Sequence, residues 1–222
     1  MTCAHCVGSE RFFDRGRARK DLKRYRKKGP TAPTRLLLDL VAESGVRGRS
    51  VLDIGGGVGA VQHELLARGA AQVVNVDASP AYQEANRDEA RVRGHEGRVE
   101  YLLGDFVELA PRLAAADVVT LDRVLCCYPD MPALVDASAD RALRTWGFVA
   151  PREVWWVRAA LAAANLAVRL TGNPFRVYVH PLDAVDRRLR GRGFGPPRMG
   201  RRGMWEVRAY ERAAPAGNLP LA

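Results

Sequence analysis

The sequence predicts an α/β fold: a doubly wound sheet of seven strands, mostly parallel, with an antiparallel C-terminal strand and a helical N-terminal extension. Three observations predict it. Short apolar runs alternate with helical stretches from residue 50 to residue 151, which is the pattern of a parallel sheet with helices on both faces. The first run feeds a burst of glycine, VLDIGGGVGA at 51–60, as a buried strand feeds a tight loop and then a helix. The stretch GPPRMGRRGMWEVRAYER is turn-rich at first and alternating at its end, which suits a closing hairpin. This is a Rossmann-like architecture.

The elements follow in order. Residues 10–28 and 31–45 read as two helices broken at Gly29-Pro30. SVLDI is the first strand, GGGVG the loop, and AVQHELLARG a helix ending at Gly69. QVVNVD is the second strand and ends on Asp77; Ser79 then caps a helix with Pro80 in its first turn. RVEYLLGDF is a third strand and ADVVTLD a fourth. Residues 130–144 are helical, TWGFVAP is a fifth strand, and LDAVDRRLRGRGF is a helix before the hairpin. The expected divisions are a helical extension over 1–45, a catalytic domain over 46–212 with an apolar insert at about 152–180, and a flexible tail over 213–222.

The length of 222 residues suits one domain. No segment is long and uncharged enough to span a bilayer, and the first residues lack a secretory apolar core. The expected location is the cytoplasm. The formal charge is +10, and residues 11–28 alone hold ten Lys or Arg against two Asp. Such a patch suits a solvated helix face or an acidic partner. Phe12, Phe13 and Tyr25 are not spaced as a stacking platform for RNA.

Gly55-x-Gly57-x-x-Ala60 satisfies a dinucleotide fingerprint, and Asp53-x-Gly55-x-Gly57-x-Gly59 satisfies another. Asp53 separates them. A carboxylate beside the loop repels a pyrophosphate and attracts an ammonium. S-adenosyl-L-methionine carries an ammonium, a sulfonium and no phosphate. In this reading Gly55, Gly56, Gly57 and Gly59 allow close backbone approach. Asp77, with Ala78 after it, accepts from the ribose hydroxyls. Asp105 accepts from the adenine amino group, and Phe106 packs on the ring. Asp122 ends the fourth strand at the same edge. These motifs, VLDIGGGVGA, VVNVD, GDF and DVVTLD, resemble the class I S-adenosylmethionine-dependent methyltransferases over about residues 48–212. The resemblance implies that enzyme's fold, whose seventh strand is antiparallel, and its cofactor.

The acceptor belongs past the fourth strand, beside DRVLCCYPDMP. That loop lacks the Pro-Pro-aromatic box of nucleic-acid amino methyltransferases, and its proline follows the cysteines. It is similar to that of the magnesium-protoporphyrin O-methyltransferases, which esterify a propionate. Three features carry that likeness: FFD followed by Tyr25, the pair Tyr128-Pro129, and an apolar insert leading to Tyr178 and His180. In that family a tyrosine on the helix and a histidine before Tyr-Pro are implicated in the acceptor site; here Cys127 stands at the histidine's place. The resemblance implies oxygen methylation of a small apolar or aromatic molecule, with Tyr25, Asp122, Cys127, Tyr128 and His180 as candidate catalytic groups.

The insert over 154–170 is read as a buried crossover helix, as a lid lined by Trp155 and Trp156, or as a peripheral membrane contact. Arg123 and Arg176 are candidate partners for an acceptor carboxylate. Cys3, His5 and Cys6 form one cluster and Cys126 with Cys127 another, but adjacent cysteines suit a shared metal poorly, so no metal is expected. A thiol-rich pocket also suits a thiophilic acceptor such as trivalent arsenic. The rival functions are an RNA or protein methyltransferase using the basic helix, a dehydrogenase, and a cofactor binder without chemistry.

Overall fold

The computed structural model describes residue 8 and residues 10–213. The expectations for Cys3, His5, Cys6 and the tail beyond 213 fall outside those residues. Seven strands form one sheet: β1 (Ser50–Ile54), β2 (Gln72–Asp77), β3 (Val99–Leu103), β4 (Ala116–Asp122), β5 (Ala142–Pro151), β6 (Arg198–Arg202) and β7 (Trp205–Glu211). Their order is β3-β2-β1-β4-β5-β7-β6. The first five are parallel, and β7 runs antiparallel to both β5 and β6.

Period-two side-chain alternation divides the core. Leu52, Ile54, Val119, Leu121 and Phe148 point to one face. There they meet Leu134 and Val135 of a helix over Met131–Asp140 and Val185 and Leu189 of a helix over Leu182–Arg190. Val51, Val73, Val118, Val149 and Val207 point to the other face. They meet Leu37, Leu38 and Val41 of α2 (Ala32–Ala42) and Leu65 and Leu66 of α3 (Ala60–Ala67). The core therefore runs straight through the division expected at residue 45: α2 belongs to the sheet's own packing.

The N-terminal helix is shorter than the sequence suggests. Helix ends at Phe12, and α1 starts afresh at Arg15 and runs to Lys28. Asp14 is the cause: its carboxylate accepts from Arg17 N–H at 2.8 Å and caps the new helix. Ala18, Leu22 and Tyr25 of α1 pack with Tyr82 and Ala85 of α4 (Pro80–Arg93) in a small core of their own. The insert forms α7 (Trp155–Leu170), and there the buried-crossover expectation is corrected. Of its residues only Val157 is buried, while Trp155 is 81% and Leu170 79% exposed. Among the described residues no helix is long and apolar enough to cross a membrane.

Candidate functional site at the strand ends

The strand order reverses between β1 and β4, and such a switch point opens a crevice at the carboxyl ends of the strands. A cavity of about 580 Å³ lies there, within the usual range for a small-molecule site. Its wall takes Gly55 and Gly57 from the loop after β1, Asp77 and Ala78 after β2, Asp105 and Phe106 after β3, and Asp122 and Arg123 after β4.

The four loop glycines divide into two roles. Gly55 and Gly57 face the cavity. Gly56 and Gly59 face the protein, which corrects their expected place on the cofactor wall. A side chain at Gly59 would meet the Asn86 amide oxygen at 2.5 Å and His63 Nε2 at 2.7 Å, at a φ of 81°. At Gly56 it would meet Asn75 Nδ2 at 1.9 Å. Beneath the loop Asn75 donates to Gln62 at 2.9 Å, Gln62 to Asn86 at 2.6 Å, and Asn86 to the Gly57 carbonyl at 3.3 Å. This buried amide chain sets the loop's height above the sheet.

Asp53 lies under the loop and is fully buried; it is not on the cavity wall. One carboxylate oxygen accepts from the Thr120 hydroxyl at 2.8 Å, and the other has no partner. Burial pushes its pKa up to about 7 despite that hydroxyl, with the charges of Asp122 and Asp77 adding to the rise. The unpartnered oxygen faces Gly56, where an added Cβ would meet it at 2.7 Å, so the acid acts on a cationic ligand through its charge across the loop and not by contact. Asp77 accepts from Gly57 N–H at 2.9 Å and Ser79 N–H at 2.8 Å. Those bonds hold its oxygens at the cavity, and a carboxylate retains lone pairs for ribose hydroxyls. Burial raises its pKa, and the backbone donors oppose the rise. Asp105 caps the turn over Phe106–Leu109 by accepting from Val107 N–H at 2.9 Å.

The same cavity carries the acceptor-loop residues. Tyr128 lines it, and its hydroxyl donates to both Asp105 oxygens at 3.0 Å. Burial and the Asp105 charge raise the Tyr128 pKa. Asp122 accepts from the Thr34 hydroxyl at 2.7 Å and from Arg123 at 3.0 and 3.1 Å. Arg123 adopts a φ of 62°, a left-handed conformation that costs a non-glycine residue about 1–2 kcal/mol. Cys126 and Cys127 line the cavity as well, as do Leu161, Phe175 and Val177.

Two candidate catalytic groups do not reach the cavity. Tyr25 is 1% exposed and donates to Glu64 at 2.8 Å, with Arg93 over its ring. Burial and Glu64 raise its pKa. Its place is the packing of α1 on α4. His180 bonds the Tyr128 carbonyl at 2.9 Å through Nε2 and stacks on Tyr178. Burial lowers its pKa, and it holds the loop's backbone. Trp155, Trp156 and Arg176 are also off the wall.

Sequence reasoning missed Arg17, Asp21, Phe12 and Phe13, which close the cavity from the N-terminal side. Arg17 stands 4.0 Å over the Phe12 ring, Phe12 stacks on Phe175 at 4.1 Å, and Asp21 accepts from Tyr82 at 2.6 Å. Only Asp14, a cap within a basic run, hinted that the chain turns there.

Residues 52–150 match the family described as a methyltransferase domain. No curated protein matches the chain. Among solved structures, the chain is similar to magnesium protoporphyrin IX methyltransferase from Synechocystis PCC 6803 with bound SAH. That match has 20% identity and a TM-score of 0.68, covering 91% of this chain and 95% of the other. An O-methyltransferase family protein from Burkholderia thailandensis matches at 20% identity and a TM-score of 0.69, covering 90% of this chain and 61% of that one. An O-methyltransferase family 2 protein from Planctomyces limnophilus, in complex with apigenin, matches at 16% identity and a TM-score of 0.65, covering 90% and 62%.

Proposed function

We propose that the chain, whose residues 52–150 match a methyltransferase-domain family, is a class I S-adenosylmethionine-dependent methyltransferase that methylates an oxygen of a small apolar or aromatic acceptor, a carboxylate in first place. The observation that carries this reading is the cavity's largely apolar lining, in which Leu134, Leu161, Phe175 and Val177 join Tyr128. An RNA or protein acceptor suits an open basic groove instead.

The cofactor presents an electrophilic methyl group on sulfonium, and the protein's task is alignment. Asp77 is assigned the ribose, Asp105 with Phe106 the adenine, and Asp53 beneath Gly55 and Gly57 the amino end. The polar groups at the acceptor end are already engaged: Asp122 by Arg123 and Thr34, Tyr128 by Asp105. A carboxylate acceptor arrives ionised and needs no base, whereas a hydroxyl acceptor needs one. Arg17 on the cavity wall supplies positive charge for it.

The test is transfer of labelled methyl to a panel of aromatic acids, phenols and amines. Base-labile label on the acids supports the ester reading. Base-stable label on amines, or label on RNA, would overturn it. A second reading concerns location: the exposed apolar face of α7, with Arg158 and Arg169 on it, supports peripheral contact with a lipid surface. Co-sedimentation with anionic vesicles, lost on replacing Trp155 and Leu170, checks that reading.

A further inference from the structure

Consecutive cysteines stand side by side in the cavity wall. Both thiols donate to the Arg123 carbonyl, Cys126 at 3.3 Å and Cys127 at 3.5 Å, and their sulfurs are 3.8 Å apart. The segment is held from behind: Tyr178 N–H donates to the Cys126 carbonyl at 2.7 Å, and His180 bonds the Tyr128 carbonyl at 2.9 Å. The pair is thus fixed in place before any ligand arrives.

A disulfide fits this pair poorly. Neighbouring Cα atoms lie about 3.8 Å apart, below the roughly 4.4–6.8 Å that disulfides span. The two groups therefore stand as a dithiol. Rotation of the less buried Cys127 thiol brings the sulfurs from 3.8 Å to the shorter bite of a pyramidal three-coordinate centre. Zinc would require four such ligands. Among the described residues no group of three His, Cys, Asp or Glu gathers around a common point. A thiophile that brings its own third substituent needs only these two sulfurs.

We propose that Cys126 and Cys127 form a bidentate site for a monosubstituted trivalent arsenical at the acceptor end of the cavity. With an arsonous acid, R–As(OH)2, two arsenic–oxygen bonds break and two arsenic–sulfur bonds form. Each thiol proton leaves with a hydroxyl as water, and arsenic stays trivalent, so no oxidant is needed. The substituent R lies among Leu161, Phe175 and Val177. The site stands independently of which acceptor is methylated, and its occupant blocks that end without touching the residues assigned to the cofactor.

The probe is phenylarsine oxide, which gains two sulfur bonds and releases one water. The full chain holds four cysteines, so a Cys3→Ser/Cys6→Ser background leaves the pair as its sole thiols. Intact mass is expected to show one phenylarsenic per chain. The adduct resists excess monothiol, is removed by 2,3-dimercaptopropanol, and leaves S-adenosylhomocysteine binding in place. Adding Cys127→Ser or Cys126→Ser abolishes the monothiol-resistant adduct. Should Cys126→Ser lose S-adenosylhomocysteine binding and so report misfolding, Cys127→Ser alone decides. No adduct on the folded chain, an adduct stripped by monothiol, or the same adduct in Cys127→Ser would overturn the proposal.

Discussion

Asp53 carries its proton to an unusual pH because it is fully buried and the charges of Asp122 and Asp77 oppose its ionisation. Its folded pKa of about 7 lies above the ordinary 3.8. The folded state therefore binds that proton more tightly than the unfolded one. The resulting stability is full below about pH 4 and is lost as pH rises to about 7. In Asp53→Asn this part of the pH dependence disappears, which denaturant titrations at pH 4, 5.5 and 7 check. A ligand ammonium favours the ionised form, so S-adenosylhomocysteine affinity should climb with pH up to about 7 and then level. Calorimetry would show the climb in the native chain and a flat profile in Asp53→Asn. Asp77→Ala removes a charged acceptor for two hydroxyls at about 1.5–3 kcal/mol each, a loss of roughly 100-fold or more in affinity. At this scale the acids were legible in the sequence because each lies within two residues of a strand's carboxyl end. Tyr25 was not, since its partner Glu64 lies 39 positions further along the chain.

Elements with simple boundaries were read correctly for simple reasons. SVLDI, QVVNVD and ADVVTLD are apolar runs edged by polar residues, and they are β1, β2 and β4 to the residue. The insert was harder: a largely apolar run of sixteen residues specifies a helix without specifying what covers it, and α7 lies mostly bare. For α1, Tyr25→Phe removes a bond to Glu64 and should cost about 1 kcal/mol of stability with kcat and KM within about twofold. A large fall in kcat with unchanged stability would return Tyr25 to the catalytic set. For the loop, two glycines of similar φ give a controlled comparison. Gly94→Ala, at φ 67° with open space around it, should cost about 1–2 kcal/mol of backbone strain. Gly59→Ala adds the clash with Asn86 and His63 and should cost about 2–4 kcal/mol. Thermal melts of the two variants measure the difference.

Across the whole molecule, the cavity draws its wall from every strand end between β1 and β4 and from the segment before α1. Cofactor binding therefore ties both layers and the N-terminal helices together. At 100-fold over Kd a ligand adds about 2.7 kcal/mol. For a chain of this size that corresponds to roughly 5–11 °C in Tm. A thermal shift with S-adenosylhomocysteine and none with NAD is the expected result, and the reverse would restore the dehydrogenase reading of the glycine loop. The sheet order was foreseeable from alternation and the glycine turn. The closure by Phe12, Phe13 and Arg17 was not, because it joins residues to Phe175 across most of the chain.

The placement of β7 between β5 and β6 also bears on how the protein comes off the ribosome. Trp146 and Phe148 of β5 lie against Tyr210 of β7, and β7 ends 60 residues after β5 does. At roughly 5–20 residues per second, synthesis of that stretch takes about 3–12 s. For those seconds the nascent sheet has an unpaired side with two large aromatic residues near it, waiting for a strand still inside the translation machinery. Folding of the centre thus waits on a strand made well after it, and the interval before it arrives is when a holdase would be most needed.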